Sequence, residues 1–152
     1  MKSKRYQPYI YGDTKAKAEG IKHYVPFIKE RLKEFTGHDN LEWKQLNDGA
    51  IVLENSNIEL IFIVDYRVYD AIGIYITNKK KKQCHSLLDI MERKGFRGHA
   101  SYMSESEMNL LNSLDNPIKR LIYIFTTFIN KHCKDIMSGD FSSVGEGSPT
   151  FD

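Results

Sequence analysis

The sequence has few of the features that place a chain in a specialised class of protein. Two cysteines in 152 residues, Cys84 and Cys133, exclude a disulfide-rich scaffold and are typical of a reduced compartment. Four prolines and ten glycines exclude a collagen-like or low-complexity chain. The longest apolar stretch is residues 121–129, whereas a membrane-spanning helix needs about 20 residues. We therefore expect a cytoplasmic protein with no membrane segment and no signal peptide.

The chain also lacks a strong excess of charge of either sign. It has 22 lysines and arginines against 20 aspartates and glutamates, and a net charge of +2 gives little reason to expect a nucleic-acid binder. The charges are nevertheless segregated. Residues 37–78 contain seven acidic and two basic residues, whereas residues 1–36 contain nine basic and four acidic ones. The acidic middle of the chain is thus suited to a partner with a basic surface.

The composition that remains is that of a globular domain, with 41% hydrophobic and 28% charged residues. The length suits a single domain over residues 1–152, because a chain of this size can bury a substantial core. Residues 1–13, which include three tyrosines and Pro8, are predicted to be an irregular N-terminal arm. Residues 141–152 are rich in serine and glycine and are predicted to be a loose tail.

The spacing of apolar residues predicts the order of helices and strands. Helical spacing between Ile21 and Phe35 predicts a first helix, which Pro26 either starts or kinks. Segments of β-branched and aromatic residues, separated by turn signals such as Asn47-Asp48-Gly49, then predict four strands. The predicted strands are residues 41–46, 50–53, 58–65 and 72–77.

Helical spacing returns after residue 82. A Ser-x-x-Glu capping box at Ser104 and an Asn-Pro start at Asn116 mark the beginnings of two of the helices. The predicted helices are residues 87–95, 104–114 and 116–139. Strands followed by helices predict an α+β fold: an N-terminal helix, a four-stranded antiparallel meander, and three helices packed on one face of the sheet.

No segment has the spacing of a known catalytic motif. His99 lies in a loop with Arg97, Ser101 and Tyr102 nearby, and a hydrolase or nuclease site can be built from such groups. An ordinary surface histidine is the alternative interpretation. Glu42 and Lys44 have the Glu-x-Lys spacing of metal-dependent nucleases, but no convincing further acidic ligand accompanies them.

The two cysteines are each adjacent to a histidine, as Cys84-His85 and His132-Cys133. Cysteine and histidine are the common zinc ligands, but both pairs lie in helical patterns, where adjacent residues point about 100° apart. We therefore predict that the cysteines are buried apolar residues, and we expect no metal site and no cofactor.

Four consecutive lysines after the last predicted strand are the sharpest local charge feature. They are able to contact a phosphate backbone, with Tyr75 close by as a stacking ring. Solvated lysines that protect a sheet edge are the alternative interpretation. A small nucleic-acid-binding protein is therefore the first alternative function. Its binding residues would be Lys79, Lys80, Lys81 and Lys82.

Residues 135–141 read Asp-Ile-Met-Ser-Gly-Asp-Phe, similar to the ending Asp-Ile-Leu-x-Gly-Asp-Phe of several small bacterial domains. With the order helix, meander, helices, this ending resembles the immunity proteins of bacterial toxin systems, including those of contact-dependent inhibition. The resemblance implies a compact cytosolic domain without an active site, which binds one cognate toxin domain and blocks it. Many such proteins are acidic, so the net charge of +2 leaves the class of toxin open.

The leading expectation is therefore a non-enzymatic protein that occludes its partner's active site. The contact would be made by the acidic meander and its turns, where aromatic and arginine residues would serve as anchors. The partner-binding residues expected are Glu42, Trp43, Asp48, Glu54, Glu59, Asp65, Tyr66, Arg67, Tyr69 and Asp70.

Overall fold

The computed structural model describes residues 21, 23–38, 41–45, 50–65 and 71–150. These residues form an α+β fold with a six-stranded antiparallel sheet, which confirms the predicted class. The strands are β1 (Glu42–Gln45), β2 (Ile51–Glu54), β3 (Ile58–Asp65), β4 (Ala71–Asn78), β5 (Gln83–Ser86) and β6 (Ser148–Pro149). The helices are α1 (Val25–Arg31), α2 (Lys33–His38), α3 (Leu87–Arg93), α4 (Glu105–Ser113), α5 (Pro117–His132) and α6 (Lys134–Met137).

The order of strands in the sheet follows the order of the chain from β1 to β6. The strands β1 to β4 coincide with the four predicted ones, within a residue or two at their ends. The meander is longer than predicted, because the lysine turn reverses the chain and pairs β5 with β4, His85 opposite Ile76. Lys82 closes this turn in the left-handed region, at φ 54°. Cys84 is consequently a strand residue, and its predicted helical position is wrong.

The C-terminal segment returns to the sheet instead of extending away from it. Ser148 and Pro149 pair with Cys84 and Gln83 and form β6, so the described residues of the predicted loose tail are attached to β5. Phe141 and Val144 are buried in the main core. Two buried apolar side chains thus anchor a segment whose composition is otherwise polar.

Side chains alternate between the two faces of the sheet. One face contributes every second residue of β2, β3 and β4, such as Leu53, Leu60 and Ile76, to a core shared with α1, α3 and α5. We call it the helix-facing side, and α1 also packs against α5. On the second face, Ala50, Val52 and Ile61 form a separate small cluster against which Tyr75 packs.

The C-terminal half contains four described helices where three are predicted. Asn116 caps α5 by accepting hydrogen bonds from the amides of Ile118 and Lys119, and Ser104 forms the predicted capping box with Glu107. The last predicted helix is interrupted at Cys133, whose φ of −119° is not helical, so α5 ends there and α6 follows. No helix in the described part of the chain combines the length and apolar character needed to cross a membrane.

Neither cysteine forms a disulfide, and both are buried, as the sequence predicts. Burial raises the pKa of the Cys133 thiol to about 12, so this thiol is fully protonated at neutral pH. Cys133 therefore acts as a small apolar core residue and not as a nucleophile.

Candidate partner-binding surface

Three glutamates lie side by side across β1, β2 and β3 on the second face of the sheet. The strand register places Glu42 opposite Glu54 and Glu54 opposite Glu59. Directly opposite residues have Cβ atoms about 4.5–5.5 Å apart, and like charges at this separation destabilise a sheet. Such a row therefore needs cations beside it.

Two lysines supply those cations, and both bind Glu54. The Nζ of Lys44 forms a very short ion pair with one carboxylate oxygen, and the Nζ of Lys79 donates to the other at 2.7 Å. Lys79 also donates to the carbonyl oxygen of Asn55 at 2.6 Å. Burial alone would raise the pKa of Glu54, but the hydrogen bonds from Lys44 and Lys79 outweigh burial and lower it. Glu54 is therefore ionised at neutral pH within a mixed-charge cluster.

The three glutamates differ in exposure. Glu42 is exposed on β1, which is an edge of the sheet formed by the described strands. Glu59 is only 6% exposed, and Thr77, opposite it on β4, is 2% exposed. The expectation that Glu59 lies on an accessible surface is therefore wrong. The accessible residues of this region are Glu42 and Glu54 with the two lysines that bind Glu54, Lys44 and Lys79. We call these four residues the edge cluster.

Trp43 lies on the other side of the sheet from the glutamates. Its indole stacks on Phe62 with ring centroids 6.4 Å apart, and the Nζ of Lys29 lies 5.8 Å from the indole centroid. The tryptophan is half-buried at the rim of the main core. It therefore lies next to the edge cluster in sequence but on the opposite face, because neighbouring strand residues point in opposite directions.

The remaining residues expected to bind a partner are not gathered by the described structure. Asp65 is the last residue of β3. Asp48, Tyr66, Arg67, Tyr69 and Asp70 lie outside the described residues.

The lysine run is divided by the structure into two parts. Lys79 forms an ion pair with Glu54 and donates a hydrogen bond to the carbonyl oxygen of Asn55. Lys80, Lys81 and Lys82 are exposed in the turn between β4 and β5. The predicted acidic surface and the predicted basic run therefore meet at one ion pair. From the sequence they are predicted as separate sites. Only the pairing of β3 with β4, which sets the turn after β2 beside the turn after β4, reveals the contact.

The hydroxyl groups near His99 donate hydrogen bonds to main-chain carbonyl oxygens. His99 begins a 3₁₀ turn, and Ser101 Oγ donates to the carbonyl oxygen of Gly98 at 2.7 Å. Tyr102 is buried and donates its hydroxyl to the carbonyl oxygen of Ile124 at 2.8 Å. Burial also raises the pKa of Tyr102 above its ordinary value. These hydroxyls support the packing of the loop, and the described residues contain no group of three or more potential metal ligands.

The segment 135–141, which carries the resemblance to immunity proteins, forms the end of a helix. The carboxylate of Asp135 accepts hydrogen bonds from Lys94 Nζ at 3.2 Å and from Ser143 Oγ at 2.8 Å. Gly139 turns the chain in the left-handed region, at φ 102°, where other residues are strained. The turn directs Phe141 into the core, so the described contacts of this segment are structural. Comparison of the chain with protein-family models, with curated proteins and with solved structures found no match.

Proposed function

We propose that this protein acts by binding another protein, as an immunity protein that occludes a toxin domain in the cytoplasm. The observation that supports the proposal is the edge cluster, in which Lys79 joins the acidic meander instead of extending the lysine run. A surface on which positive and negative charges alternate offers complementary contacts to a protein. A phosphate backbone instead requires a surface with an excess of positive charge.

The position of the cluster also suits a protein partner. Glu42 and Lys44 are exposed on an edge strand, and Trp43 between them is half-buried on the other face. A partner that approaches this edge would meet two charges of opposite sign and the rim of an aromatic side chain. A tryptophan at such a position contributes strongly to an interface when a partner excludes water from it, and the charges beside it favour a complementary partner.

The proposal is tested by linking capture to toxicity. The tagged chain is purified from its native host at physiological salt, and any stoichiometric protein is identified by mass spectrometry. That protein is then expressed alone and together with the chain. We expect growth arrest by the partner alone and rescue by co-expression. A partner that is harmless, or whose toxicity the chain does not relieve, contradicts the immunity role.

The edge cluster is tested by charge reversal with a matched control. Glu42→Lys is expected to lower the affinity for the captured partner about tenfold, mainly through a slower association rate. Glu92→Lys makes the same charge change on an exposed residue of α3 and is expected to leave the affinity unchanged. Equal effects of the two substitutions exclude the edge cluster from the interface. The double variant Asp65→Lys/Asp70→Lys tests the connection between β3 and β4 in the same assay.

A second candidate function is nucleic-acid binding by Lys80, Lys81 and Lys82. The observation that favours it is the exposure of all three lysines in one turn. Binding through phosphate contacts must weaken steeply as salt rises, by a slope near one per neutralised phosphate. A salt titration of the wild-type protein and of the triple lysine-to-alanine variant tests it. Binding that ignores salt, or that survives the triple substitution, excludes this function.

A further inference from the structure

A buried histidine lies beneath the C-terminal segment, away from the edge cluster. We call residues 140–150 the C-terminal strap. His85, on the helix-facing side of β5, is 2% exposed, and its ring stacks on Phe141 of the strap with centroids 5.1 Å apart. Neither ring nitrogen has a hydrogen-bond partner among the residues that the structure describes. A neutral imidazole has one donor and one acceptor, so its burial here leaves two polar atoms unsatisfied.

Gly147 of the strap closes the site over the imidazole. A Cβ atom built on Gly147 would lie 2.7 Å from Nε2 of His85 and 2.8 Å from its Cε1. The backbone of the strap therefore rests directly on the edge of the ring that carries Nε2. This contact keeps water from the nitrogen as long as the strap is attached.

Phe141 and Val144 anchor the first part of the strap in the core, whereas residues 145–150 are attached by polar contacts, which water is able to replace. Arg93 Nη1 donates to the carbonyl oxygens of Val144 at 2.5 Å and Glu146 at 2.6 Å. The amide of Gly147 donates to Oε1 of Gln83 at 3.1 Å, and the amide of Thr150 donates to the carbonyl oxygen of Lys82 at 3.0 Å. Local opening of such a segment requires far less free energy than unfolding of the central strands.

The charged groups that face His85 come from α3 and from the strap. Burial, and then the charge of Arg93, lower the pKa of His85, while Asp89 on α3 and Glu146 on the strap raise it by less. Asp89 already pairs with Arg93 at 2.9 Å, and Glu146 is hydrogen-bonded to Gln83. A proton on His85 would therefore place a second N–H donor without an acceptor in a buried site beside an arginine.

We propose that His85 is a pH sensor that controls the C-terminal strap: when its imidazole takes up a proton, residues 145–150 of the strap leave β5 and uncover that edge of the sheet. The detached state binds the proton more tightly, because water then reaches both ring nitrogens. Mild acid consequently shifts the population from the attached to the detached state. The described sheet gains a free edge at β5 without unfolding of β1 to β4.

Hydrogen exchange and histidine NMR on the full chain test the proposal together. The amides of Gly147 and Thr150 report on the strap, those of β3 and β4 report on the sheet, and the ring resonances of His85 report its titration. Between pH 7 and pH 5 we expect protection of the two strap amides to fall as His85 titrates, by up to about tenfold per pH unit for one coupled proton. The amides of β3 and β4 are expected to keep their protection.

Two variants complete the experiment. His85→Leu removes the titrating group and is expected to keep the strap protected down to pH 5. His23→Gln removes an exposed histidine and is expected to behave as the wild type does. Strap amides that stay protected while His85 titrates overturn the proposal, as does a His85→Leu strap that opens with the wild-type pH dependence. If His85→Leu does not fold, the wild-type curves decide alone, because the proposal requires the strap amides to have lost their protection by the pH at which His85 is protonated.

Discussion

Gly147 lies so close to β5 that the backbone leaves no space for a side chain. An added Cβ would lie 2.7 Å from the carbonyl oxygen of Cys84, a main-chain atom that cannot rotate aside. Gly147→Ala is therefore expected to lower the free energy of unfolding by about 1–3 kcal/mol, measured by urea denaturation. Ser148→Ala is the matched control, because Ser148 is exposed, and it is expected to change stability by less than about 0.5 kcal/mol. A Gly147→Ala protein as stable as the wild type contradicts the close contact.

Arg31 joins α1 to α5 through one guanidinium group. Its Nε donates to Thr126 Oγ1 at 3.0 Å, its Nη2 donates to Thr127 Oγ1 at 2.7 Å, and its charge lies 4.3 Å from the ring centroid of Tyr123. Burial lowers the pKa of Arg31, but arginine still remains charged at neutral pH.

Arg31→Met keeps most of the aliphatic length of Arg31 and removes all three contacts. We expect it to destabilise the protein by about 2 kcal/mol, since hydrogen bonds to charged groups and a cation–π contact are lost together. Arg97→Met removes the same charge from an exposed residue and should be close to neutral. Thermal denaturation of the two variants is the comparison; an equal loss in both would mean that the contacts of Arg31 add nothing.

Phe141, which follows α6, anchors the C-terminal strap in the core. Phe141 is buried, and its ring stacks on His85. Phe141→Ala is expected to cost about 3 kcal/mol because it removes an aromatic ring from the core and leaves a cavity. Phe141→Leu should recover part of this loss by filling the cavity. Denaturant titration measures both, and an alanine variant of wild-type stability would show that the segment contributes no packing.

The strands differ in how well the sequence predicts them. β3 and β4 are eight residues each and rich in β-branched residues, so both are predicted nearly to their ends. β5 has the sequence Gln-Cys-His-Ser, in which neither alternation nor composition indicates a strand. β6 has two residues, one of them proline. Both strands exist because a neighbouring strand and a buried phenylalanine hold them in place, and such tertiary causes leave no local pattern.

The individual residues of the edge cluster could be identified from the sequence, but the contact between them could not. Glu54 and the lysines are visible in the sequence as charges, and the turn before β3 is visible as Asn55-Ser-Asn57. Their contact depends on which residue of β3 pairs with which residue of β4, and a shift by one residue would move Lys79 away from Glu54. The register places Ile58 opposite Asn78, directly beside the ion pair. The burial of Glu59 is likewise a result of tertiary packing, and a charged residue within the apolar sequence of β3 gives no sign of it.

At the level of the complete fold, His85, Glu54 and Glu107 each lose a stabilising contribution as the pH falls. The pKa of His85 is lowered by burial from its ordinary 6.5, so the folded state binds a proton less readily than the unfolded state does. The contribution of neutral His85 to the free energy of unfolding is therefore present above about pH 6.5. It is lost as the pH falls towards the pKa of His85 in the folded state. The pKa values of Glu54 and Glu107 lie below their ordinary 4.5, because hydrogen bonds from lysines outweigh burial. Their contribution is present above pH 4.5 and is lost in stronger acid.

We therefore expect stability to be greatest near neutral pH and to fall in two steps, the first below about pH 6.5 and the second below about pH 4.5. Urea denaturation at a series of pH values measures it. The first step should shrink in His85→Leu and the second in Glu54→Gln. Equal stability at pH 7 and pH 5 would contradict the first step.

The two buried thiols make the natural chain convenient for site-specific labelling. Maleimide dyes react with thiolates at accessible positions, and Cys133 is held protonated inside the core while Cys84 is also buried. A third cysteine placed on the exposed lysine turn, as Lys81→Cys, would then be the only fast-reacting thiol of the described residues. A fluorophore there would sit between the edge cluster and the β5 edge, and its polarisation would register a partner on either one without removal of a native residue from the core.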